Sequence, residues 1–343
     1  MVPCTAKHSQ SIHLQHAYSP NTTTHPTWSP TFTKHTFTTW LFPPTQPPIL
    51  RGHKHNIDFH SYADDTQLYI SVEPNKTTAL QSLTSCLSAV THWMSNNCIC
   101  YSKVLPNNFL KLNESKTELL LIGPKDKREA LLPSLGNLNQ YVREQVTSLG
   151  VILDSDLSLK PHINKVTKTA YFHLRNIAKV RPFLTKKDAE KLVHAFITSR
   201  LDYCNALFTG LPKKSIEKLQ LIQNSAARLL TKTRKMEHIT PVLAELHWLP
   251  VSYRIDFKVL LLVFKAVNGL APCYIADALS SYTPARALRS ADAGLLRIPN
   301  APPKRIGESA FSYYALPQHI REAESVDIFK RQLKTYLFNQ AYT

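Results

Sequence analysis

The stretch HSYADDTQLYIS, residues 60–71, places two adjacent aspartates, Asp64 and Asp65, between two short segments rich in apolar and aromatic residues. IDFHSY before the pair and TQLYISV after it predict the two strands of a hairpin, with residues 63–65 as its turn. Adjacent carboxylates repel each other unless a divalent cation binds both, and Mg²⁺ prefers carboxylate oxygens. The pair is therefore a candidate metal site, and a solvated turn is the alternative.

The residues after the hairpin predict one helix and several short strands. FLKL and TELLLI are typical of strands on either side of the turn NESK, and VTSLGVILD, residues 146–154, predicts a strand or hairpin. Spacings of three and four predict a helix face formed by Leu80, Leu83, Leu87, Val90 and Trp93.

From about residue 160 the pattern is helical. A capping box at Thr185 and Asp188, a proline at Pro241 and a serine at Ser325 mark helix starts. The predicted inward-facing residues of the first two helices are Ile163, Val166, Ala170, Leu174 and Ile177, then Leu192, Val193, Phe196 and Ile197. The fold class predicted from these patterns is α+β, with a small antiparallel sheet followed by a mostly helical region.

The N-terminal segment has a different composition. Residues 1–50 contain eleven threonines, eight prolines and five histidines but no acidic residue and no glycine. Such a segment buries too little apolar surface to offset its ordering entropy, so we predict that residues 1–48 are disordered. The irregular spacing of the histidines indicates incidental composition rather than a metal site.

The charge of the chain predicts a polyanionic partner. The formal net charge is +17, and residues 160–258 hold 19 Lys/Arg against 7 Asp/Glu, which is +12 of that total. RNA or DNA is the expected partner rather than a membrane. Lys165, Lys168 and Lys179 lie off the apolar stripe of their predicted helix, as a surface that follows phosphates requires. An ordinary solvated helix has the same pattern.

Other features predict an intracellular protein, cytoplasmic or nuclear and not secreted. The six cysteines are scattered and give no disulfide framework. No basic region followed by an apolar core appears at the N-terminus. The longest apolar run, VLLLVF at residues 259–264, is too short to span a bilayer.

FHSYADDTQLYIS closely resembles the catalytic box of reverse transcriptases from LINE-type (non-LTR) retrotransposons of the jockey and chicken-repeat kinds. FLKLNESKTELLLIGP resembles the next palm motif, and VTSLGVILDSDLSLKPHINKV resembles the primer-grip strand and the entry to the thumb. SRLDYCNALFTGLP, LQLIQNSAARLLT and RALRS resemble the helical region downstream of the polymerase. The resemblance implies a partial palm at residues 49–158, a basic thumb-like region at 159–235 and a helical C-terminal region at 236–343.

The resemblance also implies roles for individual residues. Tyr62 would lie near the primer terminus, and Leu149 and Gly150 would lie at the primer grip. Lys116, in ESKTE, would occupy the position sometimes assigned as proton donor to pyrophosphate, and an exposed turn lysine is the alternative. Trp248, in LHWLP, is interpreted as a core residue.

In this family Asp64 would be the principal ligand of catalytic Mg²⁺, with Asp65 beside it. A neighbouring strand of the family supplies another metal-binding aspartate, in a context like F-x-D-x-x-x-A-F-D, and a G-V-P-Q-G-S segment follows. Neither is found here, and no acidic residue precedes Asp58. CICYSKVLPNN, residues 98–108, interrupts the expected W-M-S-N-N-F-L-K-L-N. We therefore expect a metal site that lacks a ligand.

Two functions of different classes follow from these observations. The first is a truncated relic of an RNA-directed DNA polymerase, inactive alone and dependent on a longer polymerase chain for the missing half. The second is a basic helical module that binds nucleic acid, or a non-functional product of a decayed element.

Overall fold

The computed structural model describes residues 10–19, 57–62, 65–72, 78–97, 111–112, 114–277, 279 and 316–343. The chain divides into two compact units, here called the sheet unit (Lys7–Ser158) and the helical unit (Leu159–Thr343). Helices predominate and the strands form two small sheets, so the fold class is α+β. Within the described residues, no helix combines the length and the apolar character needed to cross a membrane.

The sheet unit contains one larger sheet and one separate hairpin. The order in the larger sheet is β2-β3-β1-β5-β6, β4 pairs with the end of β1, and all pairs are antiparallel except β5 with β6. The separate antiparallel hairpin is β7-β8. The strands are β1 (Gln10–Ser19), β2 (Asp58–Tyr62), β3 (Asp65–Val72), β4 (Lys111–Leu112), β5 (Glu118–Ile122), β6 (Val142–Arg143), β7 (Gln145–Ser148) and β8 (Val151–Asp154).

Strand β1 corrects the prediction for part of the N-terminal segment. Gln10–Ser19 do not follow the predicted disorder but form a strand between β3 and β5, pairing with both along its length. QSIHLQHAYS alternates apolar Ile12 and Leu14 with polar residues, and two partner strands satisfy its backbone groups. The rest of residues 1–48 lies outside the described residues, as does the 98–108 insertion.

One face of the larger sheet carries the core of the sheet unit. Helix α1 (Thr78–Asn97) packs on it through the predicted apolar face, with Leu80, Leu83 and Val90 buried and Leu87 partly buried. The side chain of Trp93 lies outside the described residues. A short helix α2 (Lys125–Leu131) and the 3₁₀ segment Leu132–Tyr141 complete this core.

The helical unit begins with α3 (Lys160–Val180), whose predicted stripe is buried throughout. Helix α4 (Lys186–Val193) continues through a π-helical turn at His194–Thr198 into α5 (Ser199–Asp202). The remaining helices are α6 (Lys213–Thr231), α7 (Thr240–Glu245), α8 (Val251–Val267), α9 (Cys273–Ala276), α10 (Gln318–Arg321) and α11 (Val326–Tyr342).

Local capping sets several of these helix ends. Thr185 Oγ1 accepts from the Asp188 N–H at 3.2 Å, and Ser325 Oγ accepts from the Ile328 N–H at 3.2 Å, so both predicted caps are confirmed. Arg181 caps the C-terminal end of α6. Its guanidinium donates to the carbonyl oxygens of Leu229 (3.2 Å) and Leu230 (2.9 Å).

Two aromatic and polar contacts hold the last helices in place. Phe264 of α8 and Phe329 of α11 stack with ring centroids 4.0 Å apart in a buried cluster. Gln223 of α6, 3% exposed, donates to the Leu249 carbonyl at 2.8 Å and so fixes the start of α8. Trp248, predicted as core, is buried.

Candidate functional site

The hairpin of β2 and β3, here called the YADD hairpin after residues 62–65, presents one polar face away from the core. The register Asp58↔Tyr69, His60↔Gln67 and Tyr62↔Asp65 puts these six residues on the same face, while Thr66 and Leu68 are buried on the other. Tyr62 is 69% exposed and next to the turn, as a residue that contacts a primer would need to be. Asp64 lies outside the described residues.

A polar contact stiffens the base of this hairpin. Tyr69 Oη and His60 Nε2 are 3.0 Å apart, and the two rings stack with centroids 5.2 Å apart. Desolvation, and then the Asp58 carboxylate, raise the pKa of Tyr69 above its usual value. The phenol therefore stays protonated at neutral pH and remains available as a donor.

The structure brings the predicted primer-grip residues to the same unit as the hairpin. Leu149 (φ 46°) and Gly150 (φ 84°) form the two-residue turn between β7 and β8, where both residues need positive φ. Gln67, on the polar face of the YADD hairpin, donates to the Ser148 hydroxyl directly before this turn. The two hairpins are thus joined by a side-chain hydrogen bond.

Lys116 occupies the same end of the larger sheet as Asp65. It ends the 3₁₀ turn Glu114–Lys116, one residue before β5, and it is exposed. Ala17 pairs with Asp65 on one side of β1, and Gln15 pairs with Glu118 on the other. One strand, β1, therefore lies between the aspartate and the lysine turn.

Strand β1 brings no second carboxylate to Asp65. The position opposite Asp65 on the neighbouring strand is Ala17, and β1 contains no acidic residue. Among the described residues, no group of three or more His, Cys, Asp or Glu is placed to hold a metal. A two-metal site needs carboxylates from more than one chain segment. Strand β1 offers none, whereas Asp58 on β2 lies on the same face as Asp65.

The outer face of α3 is the second candidate site. Lys165, Lys168, Arg175 and Lys179 recur at spacings of three, seven and four, which places them on one face, and all four are exposed. That face lies opposite the buried stripe and spans about 21 Å along the helix. None of the four makes an ion pair within the described parts of the chain.

An exposed aromatic row accompanies these cations. Phe172, 53% exposed, lies between Lys168 and Arg175 on the same face of α3. Its ring contacts His173 at 5.4 Å, and His173 stacks on Phe196 at 5.0 Å with an interplanar angle of 20°. Phe196 is itself 41% exposed. We call Lys165, Lys168, Phe172, His173, Arg175, Lys179 and Phe196 the basic–aromatic face.

The imidazole in this row is neutral at physiological pH. Desolvation, and then the charge of Arg200, lower the pKa of His173 below its usual 6.5. The row therefore offers uncharged rings for stacking, while the positive charge is carried by the lysines and arginines around it.

Sequence reasoning found the cations of this face but missed its aromatic residues. The sequence does contain a signal for Phe172. It follows Lys165 by seven residues, and this spacing places it on the cationic side of the helix and not on the apolar side. Phe196 was predicted to face inward, and that prediction is wrong. Phe196 lies in the π-helical turn His194–Thr198 and is exposed, while Ile197 in the same turn is buried.

With both sites described, comparison with known proteins gives a single result: the chain matches no known family model, no curated protein and no solved structure.

Proposed function

We propose that the helical unit binds single-stranded nucleic acid through the basic–aromatic face. The observation that carries this proposal is the row of four exposed cations on α3 with exposed Phe172 among them. Cations along one helix face neutralise successive phosphates and release counterions. Aromatic rings between them stack unpaired bases, which is how proteins bind single strands without reading their sequence.

The resemblance of the YADD segment and its downstream motifs supports an origin in a LINE-type retrotransposon reverse transcriptase. We propose that the chain is a relic of that polymerase and lacks polymerase activity alone. Ala17, opposite Asp65 on the neighbouring strand, supports this part of the proposal, because a carboxylate is needed from such a strand. Binding of nucleic acid, rather than nucleotidyl transfer, is then the function that the geometry supports best.

The binding proposal is tested by charge reversal. Purified full chain should bind a single-stranded RNA or DNA homopolymer at low salt, with affinity that falls steeply as salt is raised. Replacing Lys165, Lys168 and Lys179 by glutamate should lower that affinity at least about a hundredfold. The matched control replaces Lys214, Lys232 and Lys235, exposed lysines elsewhere in the helical unit. Equal losses of affinity in both triple variants would show only a general effect of net charge. They would refute the proposal that the basic–aromatic face is the binding surface.

The stacking component has its own test. Phe172→Ala should weaken single-strand binding by about 1–3 kcal/mol while leaving duplex binding nearly unchanged. Leu221→Ala removes another exposed apolar side chain, on α6, and serves as the control. A Phe172 variant with unchanged single-strand affinity would remove stacking from the proposal and leave only electrostatics.

Primer extension tests the polymerase part. With an RNA template, Mg²⁺ and nucleotides, the full chain should extend a primer no further than its Asp64→Ala variant. Extension above that variant would mean that another carboxylate, such as Asp58 or Glu118, completes the site, and the relic proposal would fail.

A further inference from the structure

A cleft in the helical unit has no part in the sites described above. Its volume is about 340 Å³, and its lining comes mainly from the π-helical turn, the segment before α8, α8 itself and α11. Clefts that hold small molecules have volumes of roughly 300 Å³ upward. None of the lining residues belongs to the basic–aromatic face. The cleft therefore has room for a small molecule and is separate from the nucleic-acid surface.

The acid in this lining is already neutralised. Asp202 is the only acidic residue among the described residues that line the cleft. Arg254 donates through Nε to Asp202 Oδ1 at 2.8 Å and through Nη2 to Asp202 Oδ2. Two parallel bonds of this kind hold guanidinium and carboxylate together as a pair. The arginine and the aspartate therefore cancel in the charge of the lining.

Two lysines of the lining have no counter-charge. Lys258 on α8 and Lys334 on α11 both line the cleft, and both are exposed. Neither ammonium group has an ion-pair partner among the described residues. The described lining thus carries two uncompensated positive charges, which favours an anionic ligand.

Helices α8 and α11 pack antiparallel, and two contacts fix their register. Tyr253 Oη donates to the Gln340 carbonyl at 3.2 Å, and Phe264 stacks on Phe329 with ring centroids 4.0 Å apart. From the first contact to the second, the chain advances eleven residues along α8 and goes back eleven residues along α11. Each residue of α8 in this stretch therefore lies level with a known residue of α11.

This register brings the two lysines to the same level of the cleft. Lys258 lies level with Thr335, one residue away from Lys334, and one residue corresponds to about 1.5 Å along a helix. Like charges placed side by side on neighbouring helices repel each other. The flexible four-carbon stems of both lysines allow their ammonium groups to converge on one anion. An anion bound between them would replace this repulsion by two ion pairs.

Aromatic residues line the same cleft. Trp248 is buried, its ring centroid lies 5.6 Å from that of His194, and its carbonyl accepts from the Tyr342 hydroxyl. Phe257, partly buried, lines the cleft from α8, one residue before Lys258. These packed rings offer flat apolar surface to a planar ligand beside the two lysines.

We propose that this cleft binds a small aromatic phosphate monoester, a planar ring that carries one phosphate group. The phosphate lies between Lys258 and Lys334, and the ring lies against Trp248 and Phe257. A phosphate monoester carries a charge of about −1.5 to −2 at pH 7 and so balances both lysines, whereas a carboxylate balances only one. Lysine binds phosphate as a point charge, and Arg254, whose fork suits a carboxylate, is occupied by Asp202.

The first test compares ligands that each lack one part of this chemistry. The full chain is titrated calorimetrically with naphthyl phosphate, methyl phosphate, naphthol and naphthalenesulfonate at about 0.15 M salt, which screens long-range attraction to the basic chain. Methyl phosphate lacks the ring, naphthol lacks the charge, and the sulfonate carries a single charge. Naphthyl phosphate should bind, and each of the other three should bind at least about tenfold more weakly, the equivalent of one lost ion pair or ring contact.

The second test uses variants of the two lysines. Lys258→Gln and Lys334→Gln should each lower the affinity for naphthyl phosphate about tenfold and leave that for naphthol unchanged. Arg331→Gln removes another exposed cation of α11, outside the cleft, and should leave both affinities unchanged. Because neither lysine has an ion-pair partner among the described residues, both lysine variants should melt at the parent temperature without ligand. A loss of affinity then reports on the site and not on folding.

Four results would overturn the proposal: no saturable binding of naphthyl phosphate, equal affinity for methyl phosphate, unchanged affinity in both lysine variants, or an equal loss in Arg331→Gln. The Lys165/Lys168/Lys179→Glu variant should bind naphthyl phosphate as the parent chain does. A loss confined to that variant would assign the ligand to the basic–aromatic face and would also overturn the proposal. Since none of these ligands is a nucleic acid, failure of the cleft and failure of the proposed function give separate results.

Discussion

The YADD hairpin depends on a strand that lies far upstream in the sequence, whereas each helix of the helical unit begins and ends on signals within its own few residues. In the sheet unit, β1 separates β3 from β5, so contacts between Gln10–Ser19 and two later segments complete the sheet. In the helical unit, Thr185 and Ser325 cap the helices that they precede. Long-range pairing governs one unit, and local periodicity governs much of the other.

Because of this difference, the two candidate functions differ in how many segments of the chain they need. A two-metal site needs a carboxylate from a second strand, and Ala17 on β1 supplies none. A nucleic-acid face needs one helix with correctly spaced cations and an exposed ring, and α3 contains all of these within 15 residues, 165–179. Binding built on one helix therefore persists more easily than catalysis built across strands.

The largest expected effect on stability comes from a substitution that disrupts β1, the strand that pairs with both β3 and β5. Leu14→Pro removes a backbone donor and inserts a ring into a strand paired on both sides, with Leu68 and Leu119 as its register partners. The lost ladder hydrogen bond, which leaves its acceptor unpaired, alone costs about 1–3 kcal/mol, and we expect the steric clash of the ring to add to this loss in the sheet unit alone. Hydrogen exchange should show faster exchange at Asp65–Val72 and Glu118–Ile122 but not at Lys160–Val180.

Leu14→Val is the matched control, because it keeps the backbone N–H and a β-favouring side chain. It should leave exchange in both strands nearly unchanged. Equal protection of the two strands in the proline and valine variants would mean that β1 contributes nothing to the sheet.

The next largest effect concerns a local interaction in the helical unit, the cap that Arg181 provides to α6. Arg181 donates to the Leu229 and Leu230 carbonyls and to Leu184 O at 3.0 Å, so Arg181→Ala leaves the C-terminal carbonyls of α6 without this cap. We expect a loss of about 2 kcal/mol, typical of hydrogen bonds from a charged donor. Arg175→Ala, an exposed arginine on α3, should stay within about 0.5 kcal/mol of the parent chain. Denaturant unfolding followed by circular dichroism measures both.

Much of the helical unit could be predicted from sequence because its signals are local. The stripe on α3 and the caps at Thr185 and Ser325 required only spacings of three and four and a hydroxyl in the right place. The basic side of α3 followed from the same spacing. Phe196 could not be placed this way, because it lies in a π-helical turn. The i→i+5 hydrogen bonds of such a turn change the spacing of side chains from that of an α-helix, and no pattern in the sequence predicts the turn.

The sheet unit was less predictable because its decisive contact is not local. The β2-β3 hairpin, α1 and the β7-β8 hairpin follow from alternation, periodicity and a two-residue turn at Leu149 and Gly150. Strand β1 has only Ile12 and Leu14 as an alternating apolar signal, within a segment whose overall composition favours disorder. Its partners, β3 and β5, are fixed only when the whole sheet forms.

A smaller effect appears as pH dependence in the helical unit. Desolvation, and then the charge of Lys165, lower the pKa of buried His162 below 6.5. The unfolded chain then binds the proton more readily, so the stability present above pH 6.5 is lost as pH falls below it. His162→Leu should remove that slope, whatever it costs at neutral pH, and Lys165→Gln should reduce it. Unfolding free energies measured between pH 5 and 8 would contradict this if the parent and His162→Leu slopes were equal.

The smallest effect has the opposite sign and comes from Asp256 on α8. This carboxyl is half-buried, has no hydrogen-bond or ion-pair partner among the described residues, and desolvation raises its pKa above the usual 3.8. Folding therefore favours the protonated form, and stability is lost as pH rises through the folded-state pKa. Asp256→Asn keeps the shape without the charge, so it should raise the melting temperature slightly at pH 7. The gain should shrink as pH falls toward and below 3.8, because the Asp256 carboxyl is then protonated in the unfolded chain as well as in the folded chain. A variant that is less stable at pH 7 would show that the ionised carboxylate has a stabilising partner and that burial does not disfavour its charge.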